Sequence, residues 1–272
     1  MEAEGRALPA PARALERVGR AFVRGLDEVG FAAALLAESL YWIVLGRRRD
    51  QPVRPAPIFQ QMTEIGIAAL PIVSVLAATI GVMLSIQGIH TLRDFGAESQ
   101  IVLGVAISVT REFAPLIVGI LVAGRSGSAL AARLASMQVN QEIDALRVMG
   151  INPVRFLVVP PLLAMGLVVP ALTFVAGVLA VLASGLYVGA VLGMSLDAYV
   201  EQSLAVVEVG DVLHGLGKSV LFALLITLVG VVNGAGVEGG AEGVGRVTTR
   251  SVVHAISAIV LADMVFALVL AT

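Results

Sequence analysis

The feature that most constrains this chain is a set of long runs without a charged side chain. The first, Ile65 to Ile89, has 25 residues without Asp, Glu, Lys or Arg. A helix of that length crosses a hydrocarbon core of about 30 Å with some tilt. The chain is 58% hydrophobic and 14% charged, against about 25% charged in a soluble domain, so we expect a membrane protein.

Four further stretches extend the pattern and predict an all-α polytopic protein with five spans. The run from Phe156 to Leu196 is long, and we read it as one helix kinked at Pro170 followed by a segment rich in small residues. If this run formed two spans, the acidic residues that follow it would lie on the same side of the membrane as the arginines. The arginine bias argues against that arrangement, so we count one span. The other stretches are Gln100–Leu134, Ser219–Val237 and Ser251–Thr272.

Arginine distribution predicts the orientation. Nine of the 18 basic residues lie in the first 54 positions, and more occur between Arg133 and Arg155 and at Arg246 and Arg250. The segment 186–213 has no basic residue but four acidic ones. Basic residues favour the cytoplasmic side, so we expect a cytoplasmic N-terminus and a C-terminus outside.

The N-terminal residues 1–57 form a basic segment and a Pro-rich linker ahead of the membrane domain, residues 58–272. Between positions 14 and 49, arginines alternate with apolar residues at three-to-four spacing, and Tyr41 and Trp42 follow. This pattern predicts an amphipathic helix lying on the cytoplasmic leaflet. A sixth span over residues 29–45 is the alternative to this interfacial or re-entrant arrangement, although Glu38 falls within it.

Small side chains recur every four residues along the second span. Two neighbouring rows form a stripe on which another helix can approach closely. One interpretation is ordinary packing within the subunit, and the other is a central position in a homodimer or against the following polar segment. The residues of the first row are Gly119, Ala123, Gly127, Ala131 and Ala135.

Charged residues also lie inside the predicted spans. An ionised group near the bilayer centre costs about 2.5–3.5 kcal/mol on insertion scales, so such residues usually face protein or a watery cavity. Glu112 and Lys218 both fall toward the outer side, which predicts an ion pair lining a cavity; a purely structural pair is the alternative. Arg125 and Asp263 are further candidates for the same cavity or its gating.

A short polar segment, NQEIDALRVMG, separates spans two and three at residues 140–150. We expect a cytoplasmic helix over about 138–150, with Ile143 and Leu146 on one apolar face. One interpretation is a solvated connection, and the other is a docking helix whose apolar ridge anchors a partner. The candidate docking residues are Gln141, Glu142, Ile143, Asp144, Leu146, Arg147 and Met149.

Several function classes are excluded or unsupported. The chain has no cysteine and no G-x-x-x-x-G-K-[ST] motif, so it carries no P-loop nucleotide site of its own. GAGVEG at 234–239 matches G-x-G-x-x-G but follows no strand; we expect a flexible loop through Gly245, with Thr248 or Thr249 capping the last helix. The three histidines are scattered. We therefore predict no enzyme activity, resident metal or cofactor, or nucleic-acid partner.

One segment resembles a known family. REFAPLIVGILVAGRSGSALAARLASMQVNQEIDALRVMGINPVRFLVVPP, residues 111–161, is similar to the signature of MlaE/YrbE-type permeases, the membrane subunits of MCE-associated ABC lipid transporters. KSVLFALLITLVGVVNG and GVGRVTTRSVVHA resemble later segments of the same family. The similarity extends over about residues 60–272.

The resemblance implies a homodimer of five-span subunits with an N-terminal interfacial helix in a bacterial inner membrane. It also implies a separate cytoplasmic ATPase that binds ATP-Mg, an MCE-domain protein on the other side, and phospholipid or a similar lipid as cargo. In the family, the helix at Gln141 to Met149 couples to the ATPase. The outward end of the dimer interface holds the lipid cavity, with which we associate Glu112 and Lys218.

The chain departs from the family pattern at a few positions. Many relatives carry glutamate where this chain has Arg133, and the usual Glu-Gln order appears here as Gln141-Glu142. Relatives often have Pro-Arg in place of Pro160-Pro161. These differences lead to the hypothesis that this chain and its ATPase are co-adapted at individual contacts.

Two alternatives come from other functional classes. Glu112, Lys218 and Asp263 are compatible with an ion-coupled secondary transporter, although the two halves of the chain show no pair of interrupted repeats. A membrane scaffold that only anchors partners is the second. Transport that depends on an ion gradient without ATP would indicate the secondary transporter. Absence of bound lipid from the purified complex would indicate the scaffold.

Overall fold

The computed structural model describes residues 10–46 and 53–270, and within those ranges the chain is helical with no strand. The helices are α1 (Ala10–Leu45), α2 (Pro55–Arg93), α3 (Ile101–Ser108), α4 (Ala114–Val122), α5 (Ser128–Val139), α6 (Glu142–Val148), α7 (Val159–Leu192), α8 (Leu196–Val206), α9 (Val209–Ala235) and α10 (Gly240–Leu270). Helices α3, α4 and α5 form one rod because π-helical turns at Val109–Phe113 and Ala123–Gly127 join them.

Six helical segments are long and apolar enough to cross a membrane, which confirms the prediction of an all-α polytopic membrane protein. Five of them overlap the five predicted spans, and residues 156–192 belong to one continuous helical segment that passes through Pro170. The sixth segment is Gly25–Leu45, within α1. The other five are Pro55–Arg93, Glu98–Val139, Val154–Leu192, Val209–Ala235 and Gly240–Val269.

The order of the helices places the short helices α6 and α8 at opposite ends of the bundle. The rod of α3–α5 leads into α6, and α7 returns from there to α8. Helix α9 runs back toward the α6 end and α10 away from it. We call the two ends the α6 end and the α8 end.

Helix α1 contacts the α6 end at two separated points. Glu28 pairs with Arg250 of α10, and the Asn152 amide donates to the Glu38 carboxylate at 2.8 Å. The Arg155 guanidinium lies 5.4 Å from the centre of the Trp42 ring. Because both contacts lie at the same end of the bundle, this arrangement favours the interfacial interpretation of α1 over a spanning one.

The tightest helix pair is α2 with α7. Along α2 the buried residues recur every four positions, which is the ridge that packs into the groove of a neighbouring helix. A Cβ built on Gly81 would lie 2.1 Å from the carbonyl oxygen of Ala180, so only glycine permits this approach. The buried row is Ile65, Ala69, Val73, Ala77, Gly81, Ser85 and Ile89.

Three predicted boundaries were wrong. Pro55 and Pro57 lie in the first turn of α2 rather than in a linker, because proline is tolerated where the helix N–H groups have no partner. Helix α10 begins at Gly240, so the expected glycine-rich loop is much shorter. Thr248 and Thr249 therefore do not cap the helix; they lie inside it and donate to the carbonyls of Val244 and Gly245.

Candidate functional site: a buried cation beside an apolar groove

A single lysine joins three parts of the bundle. The Lys218 side chain has no solvent exposure, and its Nζ lies 2.5 Å from Oε2 of Glu112 and 2.9 Å from Oδ1 of Asp263. The first contact is a hydrogen-bonded ion pair, whereas the second has the distance of an ion pair without the alignment of a hydrogen bond. The predicted Glu112–Lys218 pair is therefore present, and Asp263 belongs to the same cluster.

Local backbone irregularity brings Glu112 to Lys218. Glu112 lies in the π-helical turn Val109–Phe113, which precedes Pro115. Proline has no N–H to donate to the carbonyl four residues earlier, and that missing bond favours a π turn. On the facing helix, a Cβ on Gly215 would lie 2.2 Å from the carbonyl oxygen of Thr110, so glycine lets α9 approach this turn.

Further polar groups surround the cluster. The guanidinium of Arg111 lies 3.5 Å from Asp211 in the first turn of α9. Nε2 of His214 lies 4.0 Å from Oε1 of Glu112, and its ring packs edge-on against Phe266 with 5.1 Å between ring centres. Charged side chains of both signs thus converge within the α8 half of the bundle.

An apolar groove of about 240 Å³ opens beside this cluster. Thr110, which precedes Arg111 and Glu112, and Leu216 of α9 connect the groove to the charged residues. Phe174 and Leu204 are strongly exposed on its walls, at 56% and 74%. The remaining lining residues are Ala114, Thr173, Gly177, Val178, Val181, Leu182, Val200, Ser203, Val207 and Val212.

One wall of the groove is α8, which a buried chain of hydroxyls attaches to the bundle. The Tyr199 hydroxyl lies 2.6 Å from Ser184 Oγ, which lies 2.5 Å from Ser85 Oγ. A Cβ on Gly185 would lie 2.7 Å from the Tyr199 ring, so glycine makes room for it. Burial raises the pKa of the Tyr199 phenol above its ordinary value.

Arg125 does not join this cluster, contrary to the expectation that all four charged residues share one cavity. It lies in the second π turn, thirteen positions beyond Glu112 and about 20 Å farther along the helical rod toward the α6 end. There it lines a separate cavity with Arg133. The expectation was wrong because thirteen positions of one continuous helix separate the two side chains, too far for both to line one small cavity.

Helix α6 is present but shorter than expected, and its apolar face points inward. It begins after Gln141, whose backbone is left-handed with φ 58°, and runs from Glu142 to Val148. Ile143 and Leu146 are only 7% and 8% exposed because they pack into the chain's own core. The prediction that they form a ridge for a partner was therefore wrong.

The surface that α6 leaves open consists of other residues. Val148 and Met149 are 89% and 64% exposed. Arg147 and Asp144 form an exposed ion pair at 2.8 Å. Gln141 and Glu142 are also exposed, and Asn140 donates to the Glu142 carboxylate.

The first row of the stripe packs against the subunit's own helices, whereas Gly124 of the second row is exposed and has nothing within 4 Å of an added Cβ, so only the first row follows the interpretation of packing within the subunit. Gly119 faces Phe222 of α9 and Ile259 of α10. Gly127 faces Ile226, and a Cβ on Gly234 would lie 2.8 Å from the carbonyl oxygen of Ala131. Ala123 and Ala131 have no exposure, and Ala135 clusters with Val247 of α10.

Sequence reasoning missed the hydroxyl chain and the contact of Asn152 with α1. Ser85, Ser184 and Tyr199 stand alone in apolar surroundings, and their separation in sequence gives no sign of contact. Asn152 precedes Pro153 in a position typical of a turn, and its carboxamide oxygen accepts from the Arg155 N–H at 3.0 Å. The sequence predicts that Asn152 forms a turn, but not that it contacts α1.

Comparison with known proteins gives a consistent assignment. The Permease MlaE family matches residues 58–269. A probable ABC transporter permease protein of Rickettsia typhi is 32% identical over 85% of this chain and 89% of its own length. The intermembrane phospholipid transport system permease protein MlaE of Haemophilus influenzae is 30% identical over 86% of this chain and 87% of its own length.

A plant protein extends the comparison. TRIGALACTOSYLDIACYLGLYCEROL 1, chloroplastic, of Arabidopsis thaliana is 32% identical over 76% of this chain and 59% of its own length. The matched residues 58–269 contain the rod with its charged π turn, α6, and the helices that carry Lys218 and Asp263. On this evidence the chain belongs to the MlaE permease family of ABC transporter membrane subunits.

Proposed function

We propose that this protein is the membrane subunit of an ABC transporter that moves phospholipid or a similar lipid between a bacterial inner membrane and the cell envelope. The observation that carries the proposal is the apolar groove beside the Lys218 cluster, in a chain of the MlaE permease family. The name of the Haemophilus influenzae relative supports phospholipid as the cargo.

The groove and the cluster suit the two parts of a lipid. Acyl chains are stabilised where apolar side chains such as Phe174, Val178 and Leu204 replace water. A polar headgroup at the inner end of the groove would meet Thr110 and then Glu112, whose side chain is 41% exposed. Lys218 is fully buried, so its role is to hold Glu112 and Asp263 in place rather than to contact the headgroup directly.

The energy would come from a separate ATPase, which would bind ATP-Mg itself and contact this subunit at the α6 end. The open surface of α6, formed by Arg147, Val148 and Met149, is the proposed contact. Because Ile143 and Leu146 are packed into the core, a displacement of α6 would be transmitted directly to the bundle. Ile143 and Leu146 thus act as the mechanical attachment of the helix.

The complete transporter would be a homodimer with an MCE-domain protein at the α8 end. Arginines concentrate at the α6 end, and the segment around α8 is acidic, which favours a cytoplasmic α6 end. The N-terminus would then be cytoplasmic and the C-terminus outside. Closure of the two ATPases would shift α6 in both subunits and change the width of the groove.

The function is tested by purifying the full-length chain from its native membrane in mild detergent and identifying co-eluting proteins and lipids by mass spectrometry. We expect an ABC ATPase and bound phospholipid. In reconstituted vesicles, lipid transfer should require ATP and the ATPase. Transfer driven by an ion gradient without ATP would establish a secondary transporter, and the absence of lipid would favour a scaffold.

Variants of the groove sharpen this test. Val178→Trp fills the groove and should reduce bound phospholipid severalfold, because a larger side chain occupies the space of the acyl chain. Leu186→Trp is a matched control on the same helix, since Leu186 is 64% exposed and lies outside the groove. Equal lipid content in the two variants would reject the groove as the cargo site.

A further inference from the structure

A second cavity, near the α6 end, contains two arginines. It has a volume of about 190 Å³ and lies between α2, the helical rod and α7. Arg125 and Arg133 both line it, and in the described part of the chain neither guanidinium has a carboxylate within ion-pair distance. The other lining residues are Gln61, Glu64, Ile65, Ser126, Ala129, Leu130, Pro161 and Met165.

The cavity lies at the boundary between polar and apolar parts of the bundle. Glu64 lines it immediately before the uncharged run that starts at Ile65. Glu64 is nine residues into α2, or about 14 Å from the start of that helix. Pro161 is similarly close to the start of its helical segment at Val154. These distances from the helix starts at the α6 end are compatible with the depth of lipid headgroups.

The chemistry of the lining selects an anion. Arg125 and Arg133 are exposed, so their guanidinium groups are open to a ligand, and a phosphate oxygen pair is the ligand that best fits their planar donors. The Ser126 hydroxyl and the Gln61 amide add neutral donors, whereas Glu64 contributes one opposing negative charge. The apolar residues Ile65 and Met165 form the side of the cavity where an acyl chain would continue.

We propose that this cavity binds the phosphate headgroup of an anionic phospholipid from the leaflet at the α6 end. The site is separate from the cargo groove, because Arg125 and Glu112 are about 20 Å apart along the rod. The assignment of this leaflet to the cytoplasmic side rests on the orientation in the proposed function; the site itself does not. The bound lipid would contact α2, α7 and the rod just before it leads into α6.

The test uses the full-length protein in detergent and native mass spectrometry during titration with phosphatidylglycerol or phosphatidylcholine. Arg125→Gln and Arg133→Gln should each weaken phosphatidylglycerol binding about tenfold, the equivalent of one charge-assisted hydrogen bond. Glu64→Gln should tighten it, because the opposing charge is removed. A gain of affinity is a result that misfolding cannot produce.

Two control variants accompany these changes. Arg246→Gln removes an exposed arginine at the same end of the bundle and should leave binding unchanged. The titrations are repeated in the Val178→Trp background, where the cargo groove holds little lipid; the effects of the arginine variants should persist there, which separates the new site from the cargo groove. Failure of the cargo proposal would therefore not imply failure of this one.

Three results would overturn the proposal. Unchanged phosphatidylglycerol affinity in both arginine variants would reject the site. Full competition by millimolar inorganic phosphate, with equal binding of the two lipids, would assign the cavity to a free anion. Loss of ATPase co-purification without any change in lipid binding would assign the arginines to a protein interface.

Discussion

Lys218 reaches Glu112 across 106 positions of sequence, with its Nζ 2.5 Å from Oε2, and the same ammonium group lies 2.9 Å from Asp263. Through this one cation, α9 is tied to the π turn of the rod and to α10. The acidic partners are partly exposed toward the α8 half of the bundle, at 41% and 19%, whereas the lysine is fully buried. The lysine is thus the structural centre of the cluster and Glu112 its accessible face.

Replacing the lysine should cost more stability than replacing either acid. Lys218→Met leaves two carboxylates without a cation, and we expect a loss of about 3 kcal/mol, at the lower end for a broken buried pair because Glu112 is partly exposed. Glu112→Gln keeps a hydrogen-bond acceptor and should cost about 1 kcal/mol. Thermal unfolding in detergent measures both, and equal losses would contradict the central role of Lys218.

A control outside the cluster and a charge exchange within it complete this test. Arg93→Met removes an exposed partner of Glu98 and should change stability by less than about 1 kcal/mol. The exchange Glu112→Lys with Lys218→Glu should restore stability only in part, because the new carboxylate would face Asp263. Complete restoration would mean that Asp263 is not part of the cluster.

The approach of α2 to α7 should not tolerate a methyl group at Gly81. Gly81→Ala places a Cβ against the Ala180 carbonyl, and backbone cannot rotate away as a side chain can. We expect the free energy of unfolding to fall by about 3 kcal/mol, which is the upper end of the range for overpacked cores. Gly166→Ala is the matched control on α7, where nothing lies within 4 Å of the added Cβ, and its unfolding temperature should not fall.

The attachment of α8 should depend on the Tyr199 hydroxyl. Tyr199→Phe leaves the ring in place but removes its hydrogen bond to Ser184, at a cost of about 1 kcal/mol. We expect faster amide hydrogen exchange in α8 and less bound lipid, because α8 forms a wall of the groove. Unchanged exchange in α8 would show that ring packing alone holds the helix.

The two faces of α6 should respond differently to the same substitution. Val148→Asp changes an exposed residue, so it should reduce co-purification of the ATPase at least severalfold without lowering the unfolding temperature. Leu146→Asp buries a carboxylate in the core and should lower stability by several kcal/mol. If Val148→Asp retained normal ATPase binding, the contact would lie elsewhere.

The absence of cysteine makes the orientation directly testable. Single substitutions Val148→Cys and Leu204→Cys introduce exposed thiols at the α6 and α8 ends. A membrane-impermeant maleimide should label the first only from the cytoplasmic side and the second only from outside. Gly25→Cys and Val44→Cys should both be labelled from the cytoplasmic side if α1 is interfacial, and from opposite sides if it spans.

The membrane character of the chain could be predicted because it depends on local properties. A run such as Ile65–Ile89 has no charged residue, and only a helix satisfies its backbone within a hydrocarbon layer. The single span containing Pro170 followed from length and from the arginine bias. The start of α9 was missed although Glu208 and Asp211 form a local capping box there. The start of α10 at Gly240 was missed because Val244 and Val247 of that glycine-rich stretch pack against the small residues of α5, a contact distant in sequence.

The sequence by itself determined that this is a helical membrane protein of the MlaE permease type, with charged residues at unusual depth and a polar helix between two spans. The sequence also predicted the Glu112–Lys218 pair, but tertiary structure alone brought Asp263 of α10 to the same ammonium group and Arg125 to a cavity with Arg133. Tertiary structure also decided that Ile143 and Leu146 face inward. Periodicity identifies the apolar face of α6. Whether that face packs into the bundle or faces a partner depends on how the helix lies against the bundle, which is determined by contacts between residues distant in sequence.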